Sequence, residues 1–408
     1  MPISDTIYSF EYNDDSRDNL DSFLKKVSFK YDVPSIHVAG TNGKSTVSKM
    51  LQNVYKAQGY KVGLFISSHY KRNIEEMIYI NNEHISSSEL EDIYNEYQKL
   101  FKKFDLSPFD IIVFIALTYF QRKGVSLAVI ETGIGGEYDS TNIFTPILSV
   151  ITNISIDHTD VLGVSLSEIA RHKAGIIYNE VPTLIGDIDG DALDVIVEVS
   201  RRKNSKVTRI GTYHNLVNNP NGLSFEYKTY HNLFIPNKSK TNVSNACLVV
   251  DAIDLLKESF DVSEDSINKG LGCPLLPARF EIVEKDNITY VIDSAHNVEA
   301  IHKFREDVDS LRLDKETFVI FATVRDKNIT VMLPEIGLLG KVYITTFNNM
   351  HAREESDYFL FLDEYEFRQD YHSLISELKE THPGCAIIIT GSSVFASTVS
   401  EEIRNGNI

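Results

Sequence analysis

The sequence predicts an α/β protein in two units, the larger carrying a mainly parallel sheet plus a small antiparallel β addition, the smaller a second α/β layout. Three observations predict it. Short apolar runs alternate with stretches of helical periodicity from Pro34 onward, a β-rich segment interrupts them after Lys206, and a second alternating series opens near Thr289. At 408 residues the chain also exceeds the size at which one hydrophobic core usually stops growing, so a division into residues 1–285 and 286–408 is expected.

Taken in order, SIHVA (35–39) is the first strand, GTNGKST (40–46) a turn, and VSKMLQNVYKAQG a helix. Val47, Met50, Leu51, Val54 and Tyr55 share one face of that helix, and Gly59 suits its C-terminal cap. Strands are predicted at Val62–Ile66, Leu127–Glu131, Ile147–Asn153 and Pro182–Ile185, with helical stretches between several of them that cover a parallel sheet on both faces. In SLSEIARHKAG, Ser165 and Glu168 have capping-box spacing, Lys173 falls in the last turn and Gly175 is read as the helix terminator. VTRIGTYH and LSFEYKTYHNLFI flank the turn signal Asn219-Pro220-Asn221-Gly222, which predicts a hairpin or small antiparallel sheet. The strands TYVID, FVIFA, KVYITTF and CAIIIT then alternate with helices in a Rossmann-like manner, with the boundary at Glu284–Asn287.

Composition narrows the function classes. Forty basic against 58 acidic residues leave a formal charge of −18, which excludes a general nucleic-acid or anionic-membrane surface while allowing a local basic pocket. Cys247, Cys273 and Cys385 show no metal-ligand spacing and read as buried free thiols. The acidic first 15 residues lack the basic and apolar regions of a signal peptide, and no apolar run approaches a membrane span, so a cytoplasmic protein is expected.

GTNGKST follows a strand and opens a helix, the context a phosphate-binding loop requires. Its glycines let backbone N–H groups converge on phosphate oxygens, the helix N-terminus adds a positive dipole end, and Lys44 reaches the terminal phosphates. Thr41, Asn42, Gly43, Lys44, Ser45 and Thr46 are therefore the nucleotide-contacting candidates, with Ser45 or Thr46 able to meet magnesium. Glu131 ends an apolar strand ahead of the flexible Thr132-Gly133-Ile134-Gly135-Gly136, and Asp157 with His158 follows the next strand, giving a carboxylate and an imidazole that could join Glu131 around magnesium at the ligand-binding edge of the sheet or only satisfy a loop by hydrogen bonding.

HVAGTNGKST, ETGIGGEYDSTNI, ITNISIDHTDVLG, IARHKAGII, LPARFEIV, DSAHN and TGSSVF, in that order over nearly the whole chain, resemble the folylpolyglutamate synthase and dihydrofolate synthase family of the Mur-ligase superfamily. The resemblance implies a Mur-ligase-like central domain with the phosphate loop and a C-terminal glutamate-binding domain. It implies magnesium, one ion or two, held by Ser67, Glu131 and His158, and a carbamylated Lys173 that helps place the metal and the γ-phosphate. It further implies ATP contacts from Asn245, Arg279 and Asp293, and puts Ala295-His296-Asn297 at the domain junction near the incoming glutamate, with His296 catalytic beside Lys44 and Lys173. Departures from the family pattern are Ser68 for a proline, Glu137 for a basic residue, Thr241-Asn242 for His-Gln, Leu276 and Ala278 in the Trp-Pro-Gly-Arg pattern, and Val298 for proline after His-Asn.

The activity so implied is ATP-dependent addition of L-glutamate to a folate or pteroate carboxylate through an acyl phosphate, by a monomer acting on small molecules, without nucleic acid or membrane. Two other readings stay open on the residues alone: a Mur-type ligase with another acceptor, and a nucleotide-binding paralogue without catalysis.

Overall fold

The computed structural model describes residues 3–10, 17–67 and 74–408; Ser68 and part of the acidic start lie outside them. The larger sheet has eight strands, β1 (Ser35–Ala39), β2 (Val62–Phe65), β3 (Ile78–Ile80), β4 (Glu83–His84), β5 (Leu127–Glu131), β6 (Leu148–Ile151), β7 (Thr183–Ile185) and β8 (Val207–Arg209), in the order β4-β3-β2-β5-β1-β6-β7-β8. Pairing is parallel except at β3, which runs antiparallel to β2 and β4. The order reverses at β1, between β5 and β6, and such a switch point opens a crevice beyond the strand C-termini where ligands bind.

Both faces are covered, so β1, β2, β5 and β6 are buried throughout. On one face lies the helix Lys44–Gln58, whose Val47, Met50, Leu51, Val54 and Tyr55 are fully buried in the same cluster as Val38, Leu127 and Val129. Gly59 caps that helix in the left-handed conformation, φ 103°. Helices Ser87–Lys103 and Pro108–Lys123 cover the opposite face with Phe101, Ile111 and Phe114, against Ala128 and Ile130. Alternation along β5 has a functional result: Glu131 has the parity of Leu127 and Val129 and so falls on the side of the helix that starts at Lys44.

The β-rich segment divides differently from expectation. Val207–Arg209 pairs parallel with β7 and extends the large sheet as β8. Only β9 (His214–Asn219), β10 (Gly222–Tyr227) and β11 (Tyr230–Ile235) form the antiparallel sheet, with the turn signal between β9 and β10. It docks through buried Leu223, Phe225 and Leu233, and through the Tyr227 hydroxyl, which donates to Asp251 of the helix Lys240–Leu256 at 2.8 Å.

The second sheet comprises β12 (Glu281–Lys285), β13 (Ile288–Ile292), β14 (Thr317–Phe321), β15 (Lys341–Thr345), β16 (Glu366–Arg368) and β17 (Ala386–Thr390), ordered β12-β13-β17-β14-β15-β16. All pairs are parallel except β12 with β13. The expected division between residues 285 and 286 is corrected here, because it falls inside the β12–β13 hairpin, whose turn residues Asp286 and Asn287 are both left-handed. We place the start of the second unit ahead of β12.

Two further expectations change. The capping box of Ser165 and Glu168 is present, but the α-helix Leu166–Lys173 passes into a tighter turn, Ala174–Ile176, and Gly175 is no left-handed cap. Glycine is required there by close approach, since a Cβ would lie 2.3 Å from Glu137 Cα. Cys247 and Cys385 are buried free thiols, whereas Cys273 is half-buried and donates to the Lys269 carbonyl. Among the described residues no helix is long and apolar enough to cross a membrane.

Candidate active site

A single cleft of about 1230 Å³ runs between the C-terminal edge of the large sheet and the second unit. Thr41 to Thr46, Ser67, Glu131, His158, Asn245, Arg279, Asp293 and His296 all line it, so the structure gathers thirteen candidates that are scattered along the sequence. Lys173 is the exception. It lies buried behind the phosphate loop, its amine donating to the Gly40 carbonyl at 2.8 Å.

The loop is held in shape by the segment that follows β6. The Thr41 N–H donates to the Asn153 carbonyl at 3.1 Å, the Asn42 N–H to Asn153 Oδ1 at 2.7 Å, and the Thr152 hydroxyl to the Asn42 carbonyl at 2.6 Å. Thr41 and Ser155 exchange two further bonds. Gly43 adopts φ 83°, where a Cβ would lie 2.8 Å from Asn245 Oδ1, so this position needs glycine for both conformation and space. Gly43 is also the N-cap of the helix and makes no side-chain cap, which leaves first-turn N–H groups directed at the cleft.

Glu131 is the focus of the charged groups. Its Oε1 accepts from Ser45 Oγ at 2.9 Å and from Ser67 Oγ at 3.1 Å, while its buried Oε2 has no partner. Burial raises its pKa, against the opposing pull of the Lys44 ammonium and of the Ser45 hydrogen bond. His158 follows in a left-handed conformation, φ 48°, and burial lowers its imidazole pKa to about 4, leaving the ring neutral with a lone pair available. Burial likewise lowers the pKa of Lys44, and lowers that of Lys173 to about 7 with help from the neighbouring Lys44 charge.

Asp157 departs from its expected place among the metal ligands. Its Oδ1 accepts from the His158 N–H at 2.9 Å and from Lys327 Nζ at 2.7 Å, and its Oδ2 accepts from Asn297 Nδ2 at 3.2 Å and faces His296 Nε2 at 3.5 Å. Burial alone would raise its pKa; the His296 bond and charge, with Lys327, hold it well below the carboxylate range instead. Asp157 is therefore an anchor between the two units. Lys327 had no signal in the sequence, since it sits in the loop TVRDKN with no motif around it.

From the second unit, Arg279 donates to Ser294 Oγ, and Asp293 accepts the N–H groups of Phe280 at 2.7 Å and Ala295 at 2.8 Å. Asp293 is half-buried in the cleft wall, and desolvation there raises its pKa to about 6. His296 Nδ1 lies 2.7 Å from the Ser294 carbonyl, which orients its ring toward Asp157. Among the described residues no three His, Cys, Asp or Glu side chains cluster as a closed metal site. An arrangement of hydroxyls, one carboxylate and one imidazole beside a phosphate loop suits a hard cation that completes its shell with phosphate oxygens and water.

Comparison with known proteins identifies the family. Residues 38–253 match the Mur ligase middle domain and residues 278–393 the Mur ligase glutamate ligase domain. The chain is 28% identical over 389 residues to the folylpolyglutamate synthase of Lacticaseibacillus casei, covering 91% of this chain and 90% of that one. It is 30% identical over 294 residues to the dihydrofolate synthase/folylpolyglutamate synthase of Escherichia coli strain K12, covering 72% and 68%. The apo form of the L. casei enzyme superposes with a TM-score of 0.86 at 25% identity over 98% of both chains, as does the FPGS–AMPPCP–folate complex. The chain belongs to the Mur ligase family, in its folylpolyglutamate synthase and dihydrofolate synthase branch.

Proposed function

We propose that the protein joins L-glutamate to the carboxylate of a folate-type acceptor, dihydropteroate or a tetrahydrofolate polyglutamate, at the expense of ATP. The observation that carries this reading is the Ser45–Glu131–Ser67 cluster at the mouth of the phosphate loop, facing Arg279, Asp293 and His296 of the second unit across one cleft. A related solved complex contains AMPPCP and folate, and another contains DHPP and ADP.

In this reading the first-turn amides and Lys44 bind the ATP phosphates, and Asn245, Arg279 and Asp293 hold the nucleotide from the other side. The acceptor carboxylate attacks the γ-phosphoryl group in line, releasing ADP and leaving an acyl phosphate. The glutamate amine then adds to the acyl carbon, phosphate leaves with the C–O bond pair, and the amide forms. In this reading His296, lining the cleft at the junction where the family resemblance puts the incoming glutamate, orients that amine.

Ser67, Glu131 and His158 would hold magnesium, and the partnerless Glu131 Oε2 and neutral His158 ring fit that use. When bound, the ion supplies charge neutralisation at the γ-phosphoryl oxygens. Lys173 fits carbamylation, which joins a neutral amine to carbon dioxide with loss of a proton, because its pKa is pulled down to about 7. We read the protein as a cytoplasmic monomer acting on small molecules alone.

Hydroxylamine trapping tests the scheme. ATP, magnesium and acceptor without glutamate should yield a trappable hydroxamate of the acceptor, and ADP formation without one would contradict carboxylate activation.

A further inference from the structure

Asn42 and Asn297 stand 255 residues apart, yet their side-chain amides pair reciprocally: Asn297 Nδ2 donates to Asn42 Oδ1 at 2.9 Å, and Asn42 Nδ2 donates to Asn297 Oδ1 at 3.3 Å. Asn297 also donates to Asp157 Oδ2 at 3.2 Å, and its Oδ1 accepts the Ala300 N–H at 3.0 Å as the N-cap of the helix Val298–Leu311. An amide offers two donor hydrogens and two acceptor lone pairs, so all four capacities of this buried side chain are filled. Three of the four bonds cross between the units, so they exist only when the second unit sits closed on the phosphate loop. Asn42 is free for this purpose, because its backbone N–H and carbonyl are tied to Asn153 and Thr152. Beside the pair, the Ser155 hydroxyl donates to Glu299 of the same helix.

We propose that Asn297 is a positioning residue that, through Asn42 and Asp157, holds the second unit shut over the activated carboxylate and so keeps water from it. The inference rests on the ligase reading above. If the cleft opens while the acyl phosphate is present, water adds to the acyl carbon and phosphate leaves with the C–O bond pair. The free carboxylate is regenerated, one ATP is spent and no amide forms.

The test compares wild type with Asn297→Ser, Asn42→Ala and the double variant, measuring phosphate released and amide formed with saturating ATP, acceptor and glutamate. Serine caps a helix about as well as asparagine but is too short to bridge, so Asn297→Ser keeps the start of the helix while losing the contact between the units. Should it fail to fold, Asn42→Ala carries the same test on an independently anchored loop. The expected result is a phosphate-to-amide ratio near one in wild type that rises severalfold in each single variant and rises no further in the double variant. A wild-type ratio near one that stays unchanged in both single variants, or effects that multiply in the double variant, would overturn this inference alone. Wild type forming no amide would overturn the ligase reading, and this inference with it.

Discussion

The amines of Lys44 and Lys173 converge on one acceptor, the carbonyl oxygen of Gly40, at 3.0 and 2.8 Å. Two ammonium groups in one desolvated corner repel, and the Lys44 charge is among the causes that draw the Lys173 pKa down to about 7. The sign of the consequence follows from proton binding. Between about pH 7 and the ordinary lysine value of 10.5, the unfolded chain binds a proton at Lys173 that the folded one has released. Stability conferred at this site should therefore rise with pH across that window and be least below about 7. In carbon-dioxide-free buffer, the melting-temperature difference between wild type and Lys173→Met should shift in favour of wild type as pH rises from 7 to 10. A difference that is flat in pH would contradict a proton lost on folding. Activity of Lys173→Ala should fall and recover partly with added short-chain carboxylates; a fully active variant would remove the lysine from the mechanism.

Glu131 combines a buried, partnerless carboxylate oxygen with two serine donors. Glu131→Gln keeps shape and removes charge, so without magnesium the fold should melt no lower than wild type, because burial of that charge is itself unfavourable. Turnover should nevertheless fall about 10²–10³-fold, the usual scale for loss of one preorganised electrostatic partner. Melting with and without magnesium and ATP, alongside steady-state rates, separates the two effects.

Gly175 distinguishes close packing from helix termination. Were it only a terminator in ordinary backbone, alanine would be tolerated or mildly stabilising. With a Cβ placed 2.3 Å from Glu137 Cα, Gly175→Ala should cost about 1–3 kcal/mol and disturb the loop after Glu131. Urea denaturation supplies the number.

Lys327 and Asp157 form a buried ion pair across the units at 2.7 Å. Lys327→Met leaves the Asp157 carboxylate short of a cation and should cost about 3 kcal/mol, whereas pairing it with Asp157→Asn should return part of that loss. The Asp157 pKa is depressed on folding, so its contribution is present above the unfolded value of about 4 and fades as pH falls below it. Acid titration of stability should accordingly be shallower in Asp157→Asn than in wild type.

The sequence by itself determined whatever depends on neighbours within a few turns of chain. The apolar face from Val47 to Tyr55, the capping box of Ser165 and Glu168, the phosphate loop and the carboxylate that ends β5 all follow from periodicity, turn chemistry and strand-end placement, which act locally. Position in three dimensions decided the rest. Val207–Arg209 joined the large sheet because β7 offered a free parallel edge, and Glu281–Lys285 joined the second because its hairpin partner lies there. Asp157 looked like a metal ligand beside His158, yet Lys327, 170 residues away, claims its charge, and Asn297 reaches Asn42 across 255 residues. No local pattern marks such pairs, because each partner is polar for a reason that exists only once the two units have closed on one another.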